Sequence, residues 1–359
     1  MAWVPELSCW LVTGYDAAVE VMRDAGSFTV DHPGFSTQQI IGPSMLSLDG
    51  AAHRLHRDPF SAPFRLQAIG ESVSPWIEGK VTQLISAVEP DGSADLRQTL
   101  ARPLAVETMA HVLGLDGIEA TELVGWYEAI VGAVDSVTVG EGDTAAGRAA
   151  FAELSVAVRS SSTTSPLLAA VSNDGDLTLD ELASNVAVLL FGGIVTGDGT
   201  NSMVIQHLLA TDGLLTRARD EPRLVPAVVD ESLRLEPAAA AVDRFATRDF
   251  EMYGASIHEG DLVRVSLTAA NRDPAVFPSP DVLDIHRENR ARHLTFARGP
   301  HACLGVHLAR AEAMAIVTGL TRGLHDPRLI LEQMAAPEGL VFRGLERVPV
   351  RWSPREIAK

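Results

Sequence analysis

This chain of 359 residues contains only two cysteines, Cys9 and Cys303. Two cysteines exclude a zinc module built from C-x-x-C pairs and a disulfide-rich secreted scaffold, and they indicate a reducing cytosol. Lysine is equally rare, at Lys80 and Lys359, so arginine supplies almost all of the positive charge. Aromatic residues make up 5% of the chain, which neither demands nor excludes an aromatic ligand.

Basic residues are fewer than acidic ones: the chain has 29 Lys and Arg and 47 Asp and Glu, which gives a net charge of −18. Such a charge repels nucleic acid and anionic membrane surfaces, so we expect neither as a partner. The longest apolar stretches are broken by polar residues or glycine within the roughly twenty residues that span a bilayer. The first residues, MAWVPEL, lack the basic start and apolar core of a signal peptide. We therefore expect a cytoplasmic protein.

The chain organisation predicts one domain over residues 1–359, since no linker, low-complexity tract or repeat divides a sequence that is 46% hydrophobic. Apolar spacing near 3.6 predicts helices over Asp16–Asp24, Trp76–Val88, Leu100–Leu113, Leu123–Val134, Glu181–Leu209 and Leu224–Leu235. Strand patterns are short and cover Val242–Ala246, Leu262–Leu267, Gly339–Arg343 and Val348–Trp352. The fold class is mainly α, one large helical domain with small β-sheets.

The segment 296–305, FARGPHACLG, places one cysteine between two glycines and just before an apolar helical pattern over Leu304–Leu320. Backbone N–H groups at a helix start stabilise a thiolate, and glycine permits the close approach of a bulky planar ligand. A thiolate held in this way suits the axial position of an iron porphyrin. Two alternatives are a small buried hydrophobe and a nucleophilic pair of Cys303 with His301 or His307.

The spacing F-x-x-G-x-H-x-C-x-G resembles the haem-binding loop of the cytochrome P450 family. All five fixed residues match, namely Phe296, Gly299, His301, Cys303 and Gly305. The resemblance runs from about residue 3 to 352 and implies the cytochrome P450 fold, haem b as cofactor and Cys303 as the metal ligand. It also implies a leading segment longer than the one before VPEL, so we expect a late start codon or a missing first helix that leaves a sheet edge exposed.

The predicted long helix over Glu181–Ala210 contains four glycines: Gly192, Gly193, Gly197 and Gly199. Each interior glycine costs up to about 1 kcal/mol relative to alanine, so their presence needs a physical reason. One reason is close packing of another helix. The other is close approach to a cofactor, because a stripe of small and hydroxyl-bearing residues shares one face of the helix. That stripe is Gly193, Thr196, Thr200, Met203 and His207.

Residues 192–196, GGIVT, align with the family pattern A/G-G-x-D/E-T, with valine in the place of the acid. In the family this acid and the threonine help to deliver protons so that the O–O bond of dioxygen breaks. We expect Thr196 and Gly193 to serve catalysis, with Thr196 bonded to the Gly192 carbonyl. Val195 carries no proton, and Asp198, one turn away, is the candidate substitute acting through water.

Four residues are expected to hold the haem propionates: His53, Arg57, Arg244 and His301. The first two lie in a segment that matches the family helix crossing the haem edge, in which Asp49 and Phe64 also match. His53 and Arg57 share one face of that helix. Arg244 and His301 align with further propionate-binding positions of the family. With His53 and Arg57 they give four partners for two carboxylates, and Gly192 completes the expected haem contacts.

Glu231 and Arg234 form an E-x-x-R pair, which by itself is common in helices. Its position after the glycine-rich helix and before the cysteine loop matches the family. The resemblance implies that Arg287 completes a buried ion network that fixes the loop. We expect these three residues to be structural.

The leading functional hypothesis is a bacterial haem-thiolate monooxygenase that hydroxylates or epoxidises a small molecule in secondary metabolism, using O₂ and electrons from a separate ferredoxin or flavodoxin. Val195 motivates an alternative of oxidative coupling, desaturation or peroxide-driven oxidation, and a haem-binding sensor without turnover is a third possibility. Arginines around the cysteine loop predict a basic patch for an acidic electron donor, or else solvated side chains and propionate partners. These are Arg54, Arg57, Arg290, Arg292, Arg298 and Arg310.

Overall fold

Helices make up most of the computed structural model, which describes residues 1–115, 117–138, 140 and 142–354. The α-helices of this described part are α1 Tyr15–Arg23, α2 Ser36–Ile41, α3 Gly50–Arg57, α4 Leu66–Ala68, α5 Ser74–Val88, α6 Arg102–Leu113, α7 Ala120–Thr138, α8 Ala145–Ser161, α9 Pro166–Asp174, α10 Leu179–Ala210, α11 Leu214–Asp220, α12 Val225–Leu235, α13 Leu267–Ala270 and α14 Val306–Gly323. The prediction of a mainly helical fold is confirmed.

The strands are short and form small sheets. They are β1 Ala2–Val4, β2 Cys9–Val12, β3 Phe28–Thr29, β4 Ser93–Asp95, β5 Ala241–Ala246, β6 Phe250–Met252, β7 Ala255–Ile257, β8 Leu262–Ser266, β9 His325–Leu329 and β10 Pro349–Ser353. Among described residues the largest sheet has the order β1-β2-β8-β5-β3, with β2 and β8 parallel and the other pairs antiparallel. A second sheet has the order β4-β10-β9, and β6 pairs with β7.

Helix α10 is the central element of the helical layer and packs against α6, α8, α12 and α14. It begins with a reciprocal capping box, in which the Glu181 N–H donates to Thr178 Oγ1 at 3.2 Å and the Thr178 N–H donates to Glu181 Oε2 at 2.8 Å. By length and composition alone α10 is apolar enough to cross a bilayer, but most of it is buried against the surrounding helices. Its apolar character therefore belongs to the protein core.

The cysteine loop lies where two apolar clusters meet. The larger cluster is built around α10 and the helices that pack on it, and Phe296 packs against its edge. The smaller cluster joins α1 to the five-stranded sheet and includes Ala297. The loop is therefore fixed from both sides by packed elements that are far apart in the sequence.

One predicted strand is wrong. Over Gly339–Arg343 the described chain forms isolated bridges, Ala239 with Phe342 and Glu338 with Gly344, and no continuous ladder. Gly339 has φ +119°, a conformation that interrupts the regular extended backbone of a strand. The helix after the cysteine loop begins at Val306 rather than at the predicted Leu304.

Candidate active site

The loop before α14 folds back so that the backbone N–H of Cys303 donates to the Phe296 carbonyl at 2.9 Å. Two positive φ angles make this reversal, +55° at Ala297 and +77° at Gly299. A side chain at Gly299 would collide with the backbone carbonyl of Met22 in α1, so only glycine fits there. The motif glycine at this position therefore serves packing of the loop against α1.

The Cys303 side chain has accessible surface that faces an internal cavity, since protein surrounds the sulfur. Burial raises the pKa of the Cys303 thiol, and the Gly305 N–H and the charge of Arg57 only partly counter this. The backbone N–H groups at the helix start therefore stabilise the thiolate less than the sequence predicts. A bound metal cation would reverse the balance, because a coordinating thiol gives up its proton.

A cavity of about 250 Å³ separates Cys303 from α10. Its walls come from the cysteine loop, α10, the start of α14 and the segment before β5, and most of the lining is apolar. A second cavity of about 310 Å³ adjoins it and extends toward α2, α7 and β5. The two share the lining residues Leu46, Val188, Gly192, Ala239, Val242, Ala297 and His301. The two cavities are therefore neighbours that meet at these residues.

The four glycines of α10 are required for different structural reasons. Methyl groups built at Gly197 and Gly199 would come 3.1 Å from the Ala105 Cβ and 3.0 Å from the Ala238 Cβ, and one at Gly193 would overlap Met109. Close packing explains these three. At Gly192 no described atom lies within 4 Å of the added methyl, although this residue lines both cavities. Gly192 therefore keeps the wall of the cavity flat.

Thr196 also lines the cavity that Cys303 faces, and its hydroxyl donates to the Gly192 carbonyl at 2.6 Å, as the sequence predicts. The Gly192 carbonyl therefore accepts a bond from a side chain in addition to its place in the backbone hydrogen bonds of the helix. Val195, between the predicted catalytic residues, packs against the core. The hydroxyl of Thr196 is thus the polar group that this turn of α10 presents at the cavity wall.

The structure does not place Asp198 where a substitute acid would be needed. Its carboxylate is buried in a bidentate ion pair with Arg97, with Nε–Oδ1 at 3.2 Å and Nη2–Oδ2 at 2.8 Å, and it accepts a bond from Ser202. Arg97 lies in the π-helical turn Arg97–Ala101 that precedes α6. Asp198 lines neither cavity, and its charge is already paired on the α6 side of the helix. The expectation that it replaces the missing acid is therefore corrected.

Polar groups gather at the edge of the two cavities, where the sequence predicts propionate partners. The Arg57 Nη2 donates to the Ala302 carbonyl at 2.6 Å, and the Arg244 Nη1 donates to the carbonyl of its neighbour Asp243 at 2.7 Å. Burial lowers the pKa of both guanidinium groups. Arg244 is buried and Arg57 is half-buried, and each bonds a neutral carbonyl, so each gains from a nearby anion.

Two histidines complete this edge. The His301 Nε2 lies 2.8 Å from Asp49 Oδ1, and its ring is 4.4 Å from the ring of His53. Burial and the charges of His301 and Arg57 lower the pKa of His53 to about 4. The structure offers His53 Nε2 no hydrogen-bond partner among the residues it describes. A buried nitrogen without a partner indicates that a ligand completes this site.

Burial alone would raise the pKa of Asp49, but bonds from His301, Thr29 and the Val30 N–H hold that pKa well below its usual range. The Thr29 hydroxyl donates to Asp49 Oδ2 at 2.6 Å. Asp49 therefore stays ionised and orients His301 toward the cavity. Sequence matching found Asp49 by its register but did not assign it this contact.

Glu312 on α14 is a cavity residue that the sequence analysis missed. It is 3% exposed, lines the same cavity as Cys303 and accepts a bond from Asn201 Nδ2 at 2.9 Å. Burial raises the pKa of Glu312 to about 7, and the bond from Asn201 only partly offsets this. The only sequence signal was an acid on the buried face of the helix that follows the cysteine, nine residues on.

The Glu231 network forms as predicted. Glu231 and Arg234 are both fully buried and joined by Nε–Oε1 at 2.8 Å, and Arg287 Nε reaches both Glu231 oxygens at 3.1 Å. The remaining N–H groups of the two arginines donate to carbonyls of residues 271–282. One buried carboxylate thus ties α12 to the segment that leads into the cysteine loop.

The predicted basic patch is partly neutralised. Arg310 donates to Asp230 Oδ1 at 3.0 Å, and Arg290 lies 3.9 Å from the other oxygen of the same carboxylate. Arg298 donates to the carbonyls of Ala297 and His293. Much of this positive charge is therefore used within the fold.

These features fit a haem. A cysteine sulfur and Gly192 line one mostly apolar cavity, and no described side chain fills the space beside Gly192. Arg57 and Arg244 are cations that bond neutral carbonyls near this space, and His53 Nε2 has no partner among the described residues. Such a donor set suits a planar apolar group with an acidic rim and a metal centre. The described residues contain no cluster of His, Cys, Asp and Glu that could hold a metal ion without a porphyrin.

Comparison with known proteins supports the same class. The model of the family described as Cytochrome P450 matches residues 153–322. The nocardicin C N-oxygenase of Nocardia uniformis subsp. tsuyamanensis is 32% identical over 362 residues, which covers 96% of this chain and 89% of that protein. The biotin biosynthesis cytochrome P450 of Bacillus subtilis (strain 168) is 30% identical and covers 95% and 89% of the two chains.

Solved structures agree. The crystal structure of P450BioI in complex with hexadec-9Z-enoic acid ligated acyl carrier protein superposes with a TM-score of 0.87 at 27% identity, over 96% of this chain and 92% of that chain. The post-tailoring hydroxylase HmtN, involved in himastatin biosynthesis, gives a TM-score of 0.84 at 26% identity, over 98% and 93%. The chain belongs to the cytochrome P450 family: it is a haem-dependent oxidoreductase with the P450 fold.

Proposed function

We propose that this P450 inserts one atom of O₂ into a small organic molecule, hydroxylating or epoxidising it, in bacterial natural-product biosynthesis. The second oxygen atom leaves as water, which consumes two electrons and two protons. The relatives support the biosynthetic context, because their names include a nocardicin N-oxygenase and a hydroxylase of himastatin biosynthesis. Residues 1–359 act as one P450 domain in this proposal.

Cys303 is the residue proposed to hold haem b through its sulfur. The haem, when bound, would supply a redox-active iron, and the Cys303 thiolate would donate electron density that favours cleavage of the O–O bond. Phe296, Gly299 and Gly305 shape the loop around the sulfur, and the Gly305 N–H stabilises its charge. Cys303 and Gly192 line the same mostly apolar cavity, and this is the observation that carries the proposal.

The rim groups hold the propionates. Arg57 and Arg244 supply charge-assisted N–H donors, His53 supplies its unpartnered Nε2, and His301 is oriented by Asp49. Anionic propionates would raise the depressed pKa of His53, because a nearby negative charge favours the imidazolium. Glu231, Arg234 and Arg287 act structurally, through the position of the loop.

Thr196 holds and moves a proton at Oγ1 beside the cavity, at the point where Gly193 brings the backbone close to α6. Electrons arrive singly from a separate ferredoxin or flavodoxin that approaches the cysteine-loop side, where arginines remain exposed. A cytoplasmic location goes with such a donor. O₂ and a small-molecule substrate enter the apolar space above the loop.

The test is the spectrum of the reduced protein with carbon monoxide. We expect the red-shifted Soret band of thiolate coordination in wild type and in Cys9→Ala, the matched control for the other cysteine, and its loss in Cys303→Ser. Retention of that band in Cys303→Ser would contradict the ligand assignment. Turnover under labelled dioxygen then tests insertion, and a natively folded enzyme whose product carries no label would contradict it.

A second candidate is coupling, desaturation or peroxide-driven oxidation. Two observations favour it: Val195 replaces the acid, and Asp198 is held by Arg97. Both reduce proton supply at Thr196. Turnover supported by hydrogen peroxide at a rate well above that with redox partners and O₂ would favour this candidate, and the opposite ratio would favour insertion.

A further inference from the structure

The second cavity, which adjoins the one faced by Cys303, is lined by an acid that has no role in the haem site and no contact that stabilises the fold. Asp135 on α7 lines the cavity of about 310 Å³ beside Val134, Val137 and Thr138. Across the space, α10 contributes Val188 and Phe191. The wall is mostly apolar, while the Asp135 side chain is exposed, so its carboxylate is open to a ligand that enters the cavity.

Every other charged side chain lining this cavity already has a partner. Asp243 and Arg264 form a cross-strand ion pair with Nε–Oδ1 at 2.7 Å, because β5 and β8 place them directly opposite each other. His301 contacts Asp49, and Arg244 bonds a carbonyl at the haem rim.

Asp135 differs. Within the part of the chain that the structure describes, it has no ion-pair or hydrogen-bond partner. Partial burial raises the pKa of Asp135, with no charge or bond to offset it. The side chain remains accessible, so a ligand can reach it.

We propose that the substrate carries a cationic nitrogen, an ammonium or guanidinium group, and that Asp135 binds this group while the apolar part of the substrate extends toward the cysteine loop. This inference rests on the proposed function, since it names the substrate class of that site. The geometry behind it is the unpartnered carboxylate in a cavity that shares seven lining residues with the one faced by Cys303.

The orientation follows from the walls. Phe35, Phe191 and Val242 supply apolar surface in the cavity that Asp135 lines, and Val242 also lines the cavity faced by Cys303. Arg244 lies on the β5 side, where the haem rim is proposed. A cation therefore belongs at the α7 end, and an anionic substrate would leave Asp135 facing like charge.

Three decyl compounds test the charge preference: decyltrimethylammonium, decanoate and 1-decanol. The quaternary nitrogen has no lone pair, so it cannot ligate iron and confuse the result. Binding to the haem-loaded protein is measured by isothermal titration calorimetry. We expect wild type to bind the cation more tightly than decanoate, and Asp135→Asn to weaken cation binding by about tenfold while 1-decanol is unchanged.

Two further variants sharpen the test. Glu122→Gln removes one negative charge from the same helix at an exposed position outside both cavities, and it should bind the cation as wild type does. Asp135→Lys should reverse the preference in favour of decanoate. The inference is overturned if wild type fails to prefer the cation over decanoate, or if Asp135→Asn retains that preference.

Calorimetry reports binding whatever ligates the iron. A normal charge preference with an abnormal carbon monoxide spectrum would contradict the proposed function alone. A normal spectrum without the charge preference would contradict the Asp135 inference alone.

Discussion

Arg97 binds both carboxylate oxygens of Asp198, with Nε–Oδ1 at 3.2 Å and Nη2–Oδ2 at 2.8 Å. The acid that follows Thr196 in α10 is therefore held in an ion pair. Arg97 also donates to the Glu346 carbonyl at 2.9 Å, which links the start of α6 to the C-terminal region. An acid held by a cation in this way is a poor source of protons for a neighbouring turn. Its contribution is to stability.

Asp198→Asn should therefore lower stability without selectively changing oxygen chemistry. Loss of a buried charge partner leaves Arg97 partly uncompensated, and we expect a cost of about 2 kcal/mol in unfolding free energy, since Arg97 itself is only partly buried. Urea unfolding measures this cost. Product formed per NAD(P)H should stay within twofold of wild type, and a large selective drop in that ratio would show that Asp198 does serve as the acid.

Val195→Asp should restore a carboxyl group beside Thr196 and raise the product formed per NAD(P)H severalfold, if proton supply limits insertion. Val195→Asn is the matched control, because it has the same shape without a titratable proton. The measurement is product against NAD(P)H consumed with the redox partners present. Equal ratios in the two variants would show that the missing acid does not limit the reaction.

Arg244→Leu should weaken haem retention. Among the described residues, the buried guanidinium hydrogen-bonds only the carbonyl of its neighbour Asp243. A charge-assisted bond to a propionate is worth about 1.5–3 kcal/mol, or roughly ten- to hundredfold in affinity. Transfer of haem to excess apomyoglobin gives the dissociation rate. Arg248→Leu, an exposed arginine outside both cavities, should release haem at the wild-type rate.

Glu231→Gln should be strongly destabilising. It leaves Arg234 and Arg287 as buried cations without their shared carboxylate, which costs about 3–5 kcal/mol. Glu221→Gln weakens an exposed contact with Arg223, which water screens, and should leave stability close to that of wild type. The urea midpoints of the two variants make the comparison, and similar midpoints would contradict a buried structural role for Glu231.

Glu312 should make stability depend on pH. Its folded pKa of about 7 lies above the ordinary value of 4.5, so the folded protein keeps a proton that the unfolded chain releases. Its contribution is therefore favourable below 4.5 and is lost as pH rises to about 7. The total change is about 3 kcal/mol.

The measurement is the unfolding free energy of wild type minus that of Glu312→Gln, from pH 4 to about 8. This difference should fall with rising pH and then level off, since glutamine does not titrate. A second readout is the infrared carbonyl band of a protonated carboxyl at pH 6 or so, which the variant should lack. A difference that is flat with pH would show that Glu312 is ionised throughout.

The sequence by itself determined the cysteine loop, the break in the proton-relay pattern at Val195 and the order of helices, because these depend on local spacing. The Thr196 bond to Gly192 and the Glu231–Arg234 pair were also predictable, since three or four residues in a helix bring side chains together. The Gly339–Arg343 strand was not, because strand pairing depends on a distant partner that its pattern does not name.

Only the tertiary structure decided which charged side chains are paired or buried and which face a cavity. It paired Asp198 with Arg97, 101 positions away, buried Glu312 beside Asn201, and left Asp135 facing a cavity. It also separated Gly192, which opens the cavity wall, from three neighbouring glycines that pack against other helices. Such contacts join residues that are remote in the chain, and desolvation depends on everything packed around a group, so neither can be read from local spacing.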